Sequence, residues 1–302
     1  MWLYHQLIEP FVAFGFMRRA LIGCLALSLS YGPIGVLLVL RRMSLMGDAL
    51  SHAILPGAAL GYLIAGLSLP AMSLGGLIAG VVVALAAGAV SRLTALREDA
   101  SLAGFYLISL ALGVLILSAR GSPIDLMHVL FGTLLSIDGA ALVQIAGVAS
   151  VSLLVLAAIL RPLVAECFDP GFLRSVGGNG AIYHVVFLVL VVLNLVAGFN
   201  ALGTLMAVGL MMLPAASARL WAEDIAHLML IACGLAFASA AVGLLVSFHL
   251  GTASGPSVVL TAGVAYLVSV LTGTRGGVVW RFVHLPHHHE APDRPHEGHK
   301  AA

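Results

Sequence analysis

Charged residues are scarce in this chain of 302 residues, of which 14 are Lys or Arg and 13 are Asp or Glu. Together they make up 9% of the sequence, whereas apolar residues make up 61% and the mean hydropathy is +1.10. A soluble domain carries about 25% charged residues, so this composition excludes an ordinary water-soluble fold. We expect an all-α protein that crosses a lipid bilayer several times. The net charge of +1 gives no reason to expect binding to nucleic acid.

Lysine is nearly absent, and the three cysteines are not clustered. Lys300, near the C-terminus, is the single lysine, so the chain cannot contain the G-x-x-x-x-G-K-[ST] loop that binds nucleotide phosphates. There is no H-E-x-x-H or G-x-S-x-G motif, and we expect no enzymatic activity. Cys24, Cys167 and Cys233 are far apart, which argues against a disulfide framework or a thiolate zinc site. If ATP drives a process through this chain, another subunit must hydrolyse it.

Apolar segments separated by short polar stretches predict eight or nine membrane-spanning helices. Placing the arginines that follow alternate segments on the cytoplasmic side satisfies the positive-inside bias and puts the C-terminal tail inside. We divide the chain into an interfacial N-terminal segment (1–18), a transmembrane domain (19–275) and a disordered, histidine-rich cytoplasmic tail (276–302). The candidate spans are about 19–40, 49–66, 70–90, 102–118, 139–160, 181–198, 202–220, 225–248 and 257–271.

Two polar interruptions and one spacing of small residues add detail to this division. Residues 161–180 form the longest polar stretch before the tail, and we place them in the cytoplasm. Asn194 lies within an apolar stretch, where a hydrogen bond between helices is the default expectation. The Gly57–Gly61 spacing predicts close packing between helices, because small residues let backbones approach each other.

Asp48 and His52 are the most informative residues, because an acid and an imidazole lie four positions apart at the start of an apolar helix. At about 1.5 Å and 100° per residue, both side chains lie on one helical face and can reach the same ion. An ionisable group at bilayer depth costs about 2.5–3.5 kcal/mol, so such groups usually face an interior or an aqueous path. Both residue types bind transition metals, but two ligands need a second copy of the chain, other helices or water to complete a site.

The structural alternative is that Ser44 or Asp48 caps the N-terminus of the helix and that His52 hydrogen-bonds a neighbouring carbonyl. The depth of the pair is also open. Asp48 follows Arg42 by six residues, so a straight helix would place it near the cytoplasmic interface. Either residues 43–47 dip into the bilayer or the pair forms an inner gate.

Two further groups carry weaker metal predictions. Asp125 and His128 are three residues apart and could face an ion at the outer mouth, with an interfacial hydrogen-bonded pair as the alternative. The tail is rich in imidazole, which could loosely buffer zinc, copper or nickel and leans the choice of metal toward zinc rather than manganese. Its candidate ligands are His287, His288, His289, His296 and His299.

Three blocks of the sequence resemble the integral-membrane permeases of bacterial zinc, manganese and iron ABC importers. They are VLRRMSLMGDALSHAILPGAALGYLIAG (Val39–Gly66), AECFDPGFLRSVG (Ala165–Gly177) and LGTLMAVGLMMLPAASARLWA (Leu202–Ala222). The resemblance implies a type II ABC-importer fold in the bacterial cytoplasmic membrane. It also implies three kinds of partner: a second copy of the chain, a dimer of cytoplasmic ATP-binding subunits and an extracytoplasmic metal-binding protein.

The same resemblance implies roles for particular residues. Asp48 and His52 match the pair that coordinates metal inside the membrane in this family. The segment that contacts the ATPase is matched by Phe168, Asp169, Pro170 and Phe172. The implied function is import of a divalent transition metal, with zinc favoured and manganese or iron as alternatives, and no permanently bound cofactor.

The residues alone leave three other classes of protein function open. An ion-gradient-driven carrier would need no ATPase, although a cytoplasmic segment without a catalytic role argues against it. An intramembrane metalloenzyme would need a third ligand or a general base at helical spacing from Asp48 and His52, and the sequence offers none. A non-transporting scaffold or sensor would use the histidine-rich tail.

Overall fold

Helices account for the regular structure of the described residues, which confirms the all-α expectation. The computed structural model describes residues 8–66, 68–119, 137–168, 173, 175 and 178–279. Within this part of the chain, eight helices are long and apolar enough to cross a membrane, and a shorter apolar helix accompanies them. The helices are α1 (Glu9–Ala13), α2 (Gly15–Leu40), α3 (Met46–Ala53), α4 (Leu55–Ala65), α5 (Leu69–Leu93), α6 (Glu98–Ala119), α7 (Gly139–Phe168), α8 (Gly180–Leu202), α9 (Thr204–Ala218), α10 (Ile225–Leu250) and α11 (Ser254–Thr272).

Helices α2 and α8 lie at the centre of the protein. α2 packs against α7, α8, α9 and α10, while α8 also packs against α3, α5, α7 and α9. The largest fully buried side chains on these two helices include Tyr31, Ile34 and Phe187. The outer helices α5, α6, α7, α10 and α11 expose aliphatic side chains such as Ile78 and Leu154 on their outer faces. This pattern is typical of helices that are surrounded by lipid rather than water.

The second predicted span consists of two helices, α3 and α4, which meet at Ile54. Pro56 follows in the first turn of α4 and has no backbone N–H, so it cannot donate to the carbonyl of His52 as another residue would. The helix is therefore interrupted directly after the pair of interest. α3 lies among α5, α6, α8 and α9, so a short helix carries Asp48 and His52 between longer ones.

Close contact between α4 and α5 depends on glycine. A Cβ atom added to Gly57 would collide with the backbone oxygen of Gly75, and one added to Gly75 would collide with that of Gly57. Gly61 lies equally close to the backbone of Ala71. The tight packing that the Gly57–Gly61 spacing predicts is confirmed, since a larger residue would force these helices apart.

Several helix boundaries differ from the sequence prediction, among them the end of α7 and the starts of α2 and α6. α7 continues to Phe168, whereas the fifth span was expected to end at Leu160. Leu163 is fully buried, so the apolar face of the helix still has packing partners beyond the predicted end. α2 begins at Gly15 rather than near Arg19, directly after the short helix α1.

Candidate metal site

Asp48 and His52 lie on the same face of α3, as their spacing predicts. The Nε2 atom of His52 is 3.7 Å from the Oδ1 atom of Asp48. This distance is too long for a hydrogen bond, yet it leaves both atoms able to contact one ion. The side chain of His52 is 26% exposed and that of Asp48 is 63% exposed, so both reach the open side of the helix.

The capping alternative for these residues is wrong. α3 begins at Met46 with Leu45 at the N-cap position, and no side chain caps its first turn. Asp48 lies inside that first turn, where the positive end of the helix dipole favours its charge without a capping hydrogen bond. The Nδ1 atom of His52 is buried and has no hydrogen-bond partner among the described residues. Carboxylate and imidazole therefore both retain atoms that can bind an ion.

The neighbours of α3 show where the pair lies along the bundle. The rings of His52 and Tyr106 stack with their centres 6.2 Å apart, and the Ser109 hydroxyl donates to the carbonyl of Ala53 at 3.0 Å. A Cβ atom on Gly47 would meet the side chain of Met212 in α9. These contacts lie near the middle of α6 and α9 rather than at their ends. Asp48 and His52 therefore lie at the mid-length of these two helices, while their depth in the bilayer stays a prediction.

A single chain brings together two candidate metal ligands, Asp48 and His52. No group of three or more His, Cys, Asp or Glu side chains that could hold a metal occurs in the part of the chain that the structure describes. Phe168, the last residue of α7, is 70% exposed, as a contact with another subunit requires. The remaining predicted site residues, Asp125, His128, Asp169, Pro170, Phe172 and the tail histidines, lie outside the described residues.

A cluster around Arg41 was not predicted from the sequence. The guanidinium of Arg41, at the C-terminal end of α2, contacts Glu166 and Cys167 of α7 and His184 of α8. From the sequence, Arg41 is expected only to mark the cytoplasmic side of the membrane, as one of the arginines that follow the first apolar segment. Glu166 was the available clue, because it is one of only 13 acidic residues and directly follows an apolar run.

Two minor predictions are confirmed. The side-chain amide of Asn194 in α8 donates to the Ser152 hydroxyl of α7 at 2.7 Å, which is the expected hydrogen bond between helices. The three cysteines, Cys24, Cys167 and Cys233, form no disulfide.

The fold and the pair define a class, namely multi-pass membrane proteins that carry an ionisable pair on a short, interrupted helix inside the bundle. The chain matches the ABC 3 transport family over residues 13–273, and it belongs to that family of membrane permeases. The resemblance seen in the sequence blocks is thereby confirmed.

Relatives and a solved structure agree with this assignment. The chain is 33% identical over 264 residues to the manganese import system permease protein ScaB of Streptococcus parasanguinis, a match that covers 87% of this chain and 93% of that protein. It is 29% identical over 269 residues to the chelated iron transport system membrane protein YfeD of Yersinia pestis, and the match covers 89% of each. The structure of PsaBC from Streptococcus pneumoniae in complex with Fab matches with a TM-score of 0.80 at 29% identity, covering 91% of this chain and 97% of that chain.

Proposed function

We propose that this chain is the transmembrane subunit of an ATP-driven importer that carries Mn²⁺ across the bacterial cytoplasmic membrane. The observation that carries the proposal is the position of Asp48 and His52, whose Oδ1 and Nε2 atoms lie 3.7 Å apart, at the mid-length of α6 and α9. Ionisable groups are costly at such a position, so they usually mark a path for ions. Family membership supports a transport role over a scaffold or an intramembrane enzyme.

The pair acts as a transient binding site that is completed by a second copy of the chain. Leu45 and Asp48 are 77% and 63% exposed in the single chain, so this side of α3 is open to a partner. Two copies facing each other here would supply two carboxylates and two imidazoles to one ion. A site divided between two subunits can open, and an ion that must leave needs such a weak or separable site.

The choice of Mn²⁺ over zinc rests on the relatives. Carboxylate suits manganese and imidazole suits zinc and iron, so the two ligand types do not by themselves select the metal. ScaB and YfeD are named for manganese and iron, respectively. The earlier preference for zinc came from the tail histidines and stays a prediction about the tail rather than about the path.

The energy for import comes from another chain. With Lys300 as its single lysine, this chain has no phosphate-binding loop of its own. The exposed C-terminal end of α7 at Phe168 is the start of the proposed ATPase contact, which continues through Asp169, Pro170 and Phe172. An extracytoplasmic binding protein delivers the ion at the opposite face.

Uptake of radioactive Mn²⁺ into proteoliposomes that contain the chain and its co-purified ATPase subunit tests this proposal. We expect uptake that requires ATP, persists when ion gradients are dissipated and is lost in the His52→Ala variant, which should still assemble with the ATPase. Unchanged uptake in that variant would remove the pair from the path, and uptake without ATP would support the ion-gradient carrier. If the proteoliposomes took up radioactive zinc in preference to manganese, the cargo would be Zn²⁺ rather than Mn²⁺.

A further inference from the structure

The cluster around Arg41 joins three helices at one end of the bundle. The Nη2 atom of Arg41 lies 2.6 Å from Oε2 of Glu166, and its Nε atom lies 3.1 Å from Sγ of Cys167, both near the end of α7. Its Nη1 atom lies 2.6 Å from Nδ1 of His184 in α8. The centre of the Phe187 ring lies 5.2 Å from the guanidinium carbon. All three guanidinium nitrogens of Arg41 are therefore engaged with other helices.

These contacts neutralise the charge of the Arg41 guanidinium and fix its orientation. The Arg41 side chain is 8% exposed and that of Glu166 is 19% exposed, so the carboxylate neutralises a charge that water scarcely reaches. Arginine can only donate hydrogen bonds, so Nδ1 of His184 accepts the bond from Nη1 of Arg41. A lysine ammonium would keep the charge but could not match three acceptors that are arranged around a planar fork.

The backbone that follows Arg41 forms a hydrogen-bonded helix end. Arg42 has a φ of 59°, which is the one positive value for a residue other than glycine in the described part of the chain. The N–H of Met43 donates to the carbonyl of Leu38 at 2.9 Å, the bond that closes a helix end of the Schellman type. Since this position usually holds glycine, the arginine here stores backbone strain.

Hydrogen bonds connect the cluster to the candidate metal site. The N–H of Met46 donates to the carbonyl of Met43 at 3.0 Å and begins α3, whose first turn contains Asp48. On the other side, Glu166 and Cys167 directly precede Phe168, where the proposed ATPase contact begins. Arg41 therefore lies between the proposed ATPase contact and the metal pair. Its side chain bonds directly to Glu166 and Cys167, and the hydrogen-bonded backbone turn that follows it leads into α3.

We propose that Arg41 is a positioning residue that transmits movement of the end of α7 to the Asp48–His52 pair. The proposal rests on the proposed function, because it assumes that an ATPase moves the chain near Phe168. A shift of Glu166 and Cys167 displaces the guanidinium that they bind, and the hydrogen-bonded turn after Arg41 passes the shift to α3. Without these contacts the ATPase can still bind and hydrolyse ATP, but hydrolysis no longer moves the pair.

The number of Mn²⁺ ions imported per ATP hydrolysed tests this role in proteoliposomes that contain the complete importer. The test variants are Arg41→Lys, which keeps the charge, and Glu166→Gln, which keeps the shape. The matched control is Glu223→Gln, which removes the carboxylate of the exposed Arg275–Glu223 ion pair. We expect both test variants to lower the ratio about fivefold or more, within the range found for residues that couple two sites. Assembly and ATP hydrolysis should stay at the wild-type level, and the control should leave the ratio unchanged.

Three results would overturn the proposal: a wild-type ratio in both variants, a parallel loss of hydrolysis and uptake, or the failure of both variants to assemble. The last two would show that the cluster serves folding alone. Failure of the proposed function looks different. In that case the wild-type complex imports no Mn²⁺, or Asp48→Asn imports it normally, whatever the state of Arg41.

Discussion

Two Asp–His pairs of this protein differ in what surrounds them. Asp224 is the N-cap of α10; its carboxylate accepts a hydrogen bond from the backbone N–H of His227 at 3.3 Å and lies 3.0 Å from that residue's Nδ1 atom. The hydrogen bond from the His227 side chain lowers the pKa of Asp224. Asp48 caps no helix and lies 3.7 Å from His52.

The two pairs differ more in the exposed fraction of the histidine side chain than in that of the aspartate side chain. The Asp48 and Asp224 side chains are 63% and 66% exposed, whereas those of His52 and His227 are 26% and 76% exposed. The surface pair, Asp224 and His227, uses its carboxylate to begin a helix. The inner pair, Asp48 and His52, leaves its ligand atoms available. Similar residues at nearly the same spacing thus serve structure in one place and, by our proposal, ion binding in the other.

The same substitution at both acids tests the contrast most directly. Asp48→Asn should lower the initial rate of Mn²⁺ uptake by about 100-fold or more, since losing even an outer partner of a metal ligand costs about 10–100-fold. Asp224→Asn should leave the rate unchanged, because this residue lies on the surface. Equal rates in the two variants would show that the inner pair is no more functional than the outer one.

The helix packing that supports the inner pair gives the next largest effect. Gly57→Ala places a methyl group against the backbone of Gly75 and should destabilise the protein by about 1–3 kcal/mol or more through overpacking. The control is Gly104→Ala, where no atom lies within 4 Å of the added Cβ. Thermal unfolding in detergent should show a lower Tm for the first variant only. Similar Tm values would contradict the close contact of α4 and α5.

A hydroxyl beside the inner pair gives a smaller effect. Ser109→Ala removes the hydrogen bond to the Ala53 carbonyl and should cost about 1 kcal/mol of stability, with a partial loss of uptake as the end of α3 loosens. Ser118→Ala is the control, because that hydroxyl is exposed and bonds within its own helix, to Leu115. Uptake that is reduced equally in both variants would argue against a specific role for the bond to Ala53.

Substitution in the surface pair should give the smallest effect on stability. The lowered pKa of Asp224 sets the direction in which that effect changes with pH. The ionised carboxylate is favoured by folding, so its contribution is present above the unfolded pKa of about 3.9 and is lost as the pH falls through the lower folded value. Asp224→Asn should therefore lower Tm slightly at neutral pH and not at all in strong acid. The measurement is the Tm of the wild-type protein and of the variant across this pH range. A difference in Tm that grew as the pH fell would contradict the role of the ionised Asp224 carboxylate as a helix cap.

Much of the helical arrangement could be predicted because bilayer-spanning segments leave a long apolar signal. The spans near 139–160 and 225–248 correspond to α7 and α10, and errors are confined to their ends. The interruption at Ile54 was missed although Pro56 was visible, because proline early in a helix is compatible with an unbroken span. The Arg41 cluster was missed because Arg41 is more than a hundred residues from each of its partners, and no local pattern records such contacts.

The amino-acid sequence by itself determined the membrane environment, the helical class and the shared face of Asp48 and His52. Each of these depends on composition or on spacing within one helical turn. Only the tertiary structure decided that α3 is a separate short helix at mid-length of α6 and α9, and that Nδ1 of His52 is left without a partner. It also decided that Arg41 bonds to α7 and α8. These facts depend on contacts between distant segments, since the free energy of a buried polar group is set by what packs against it.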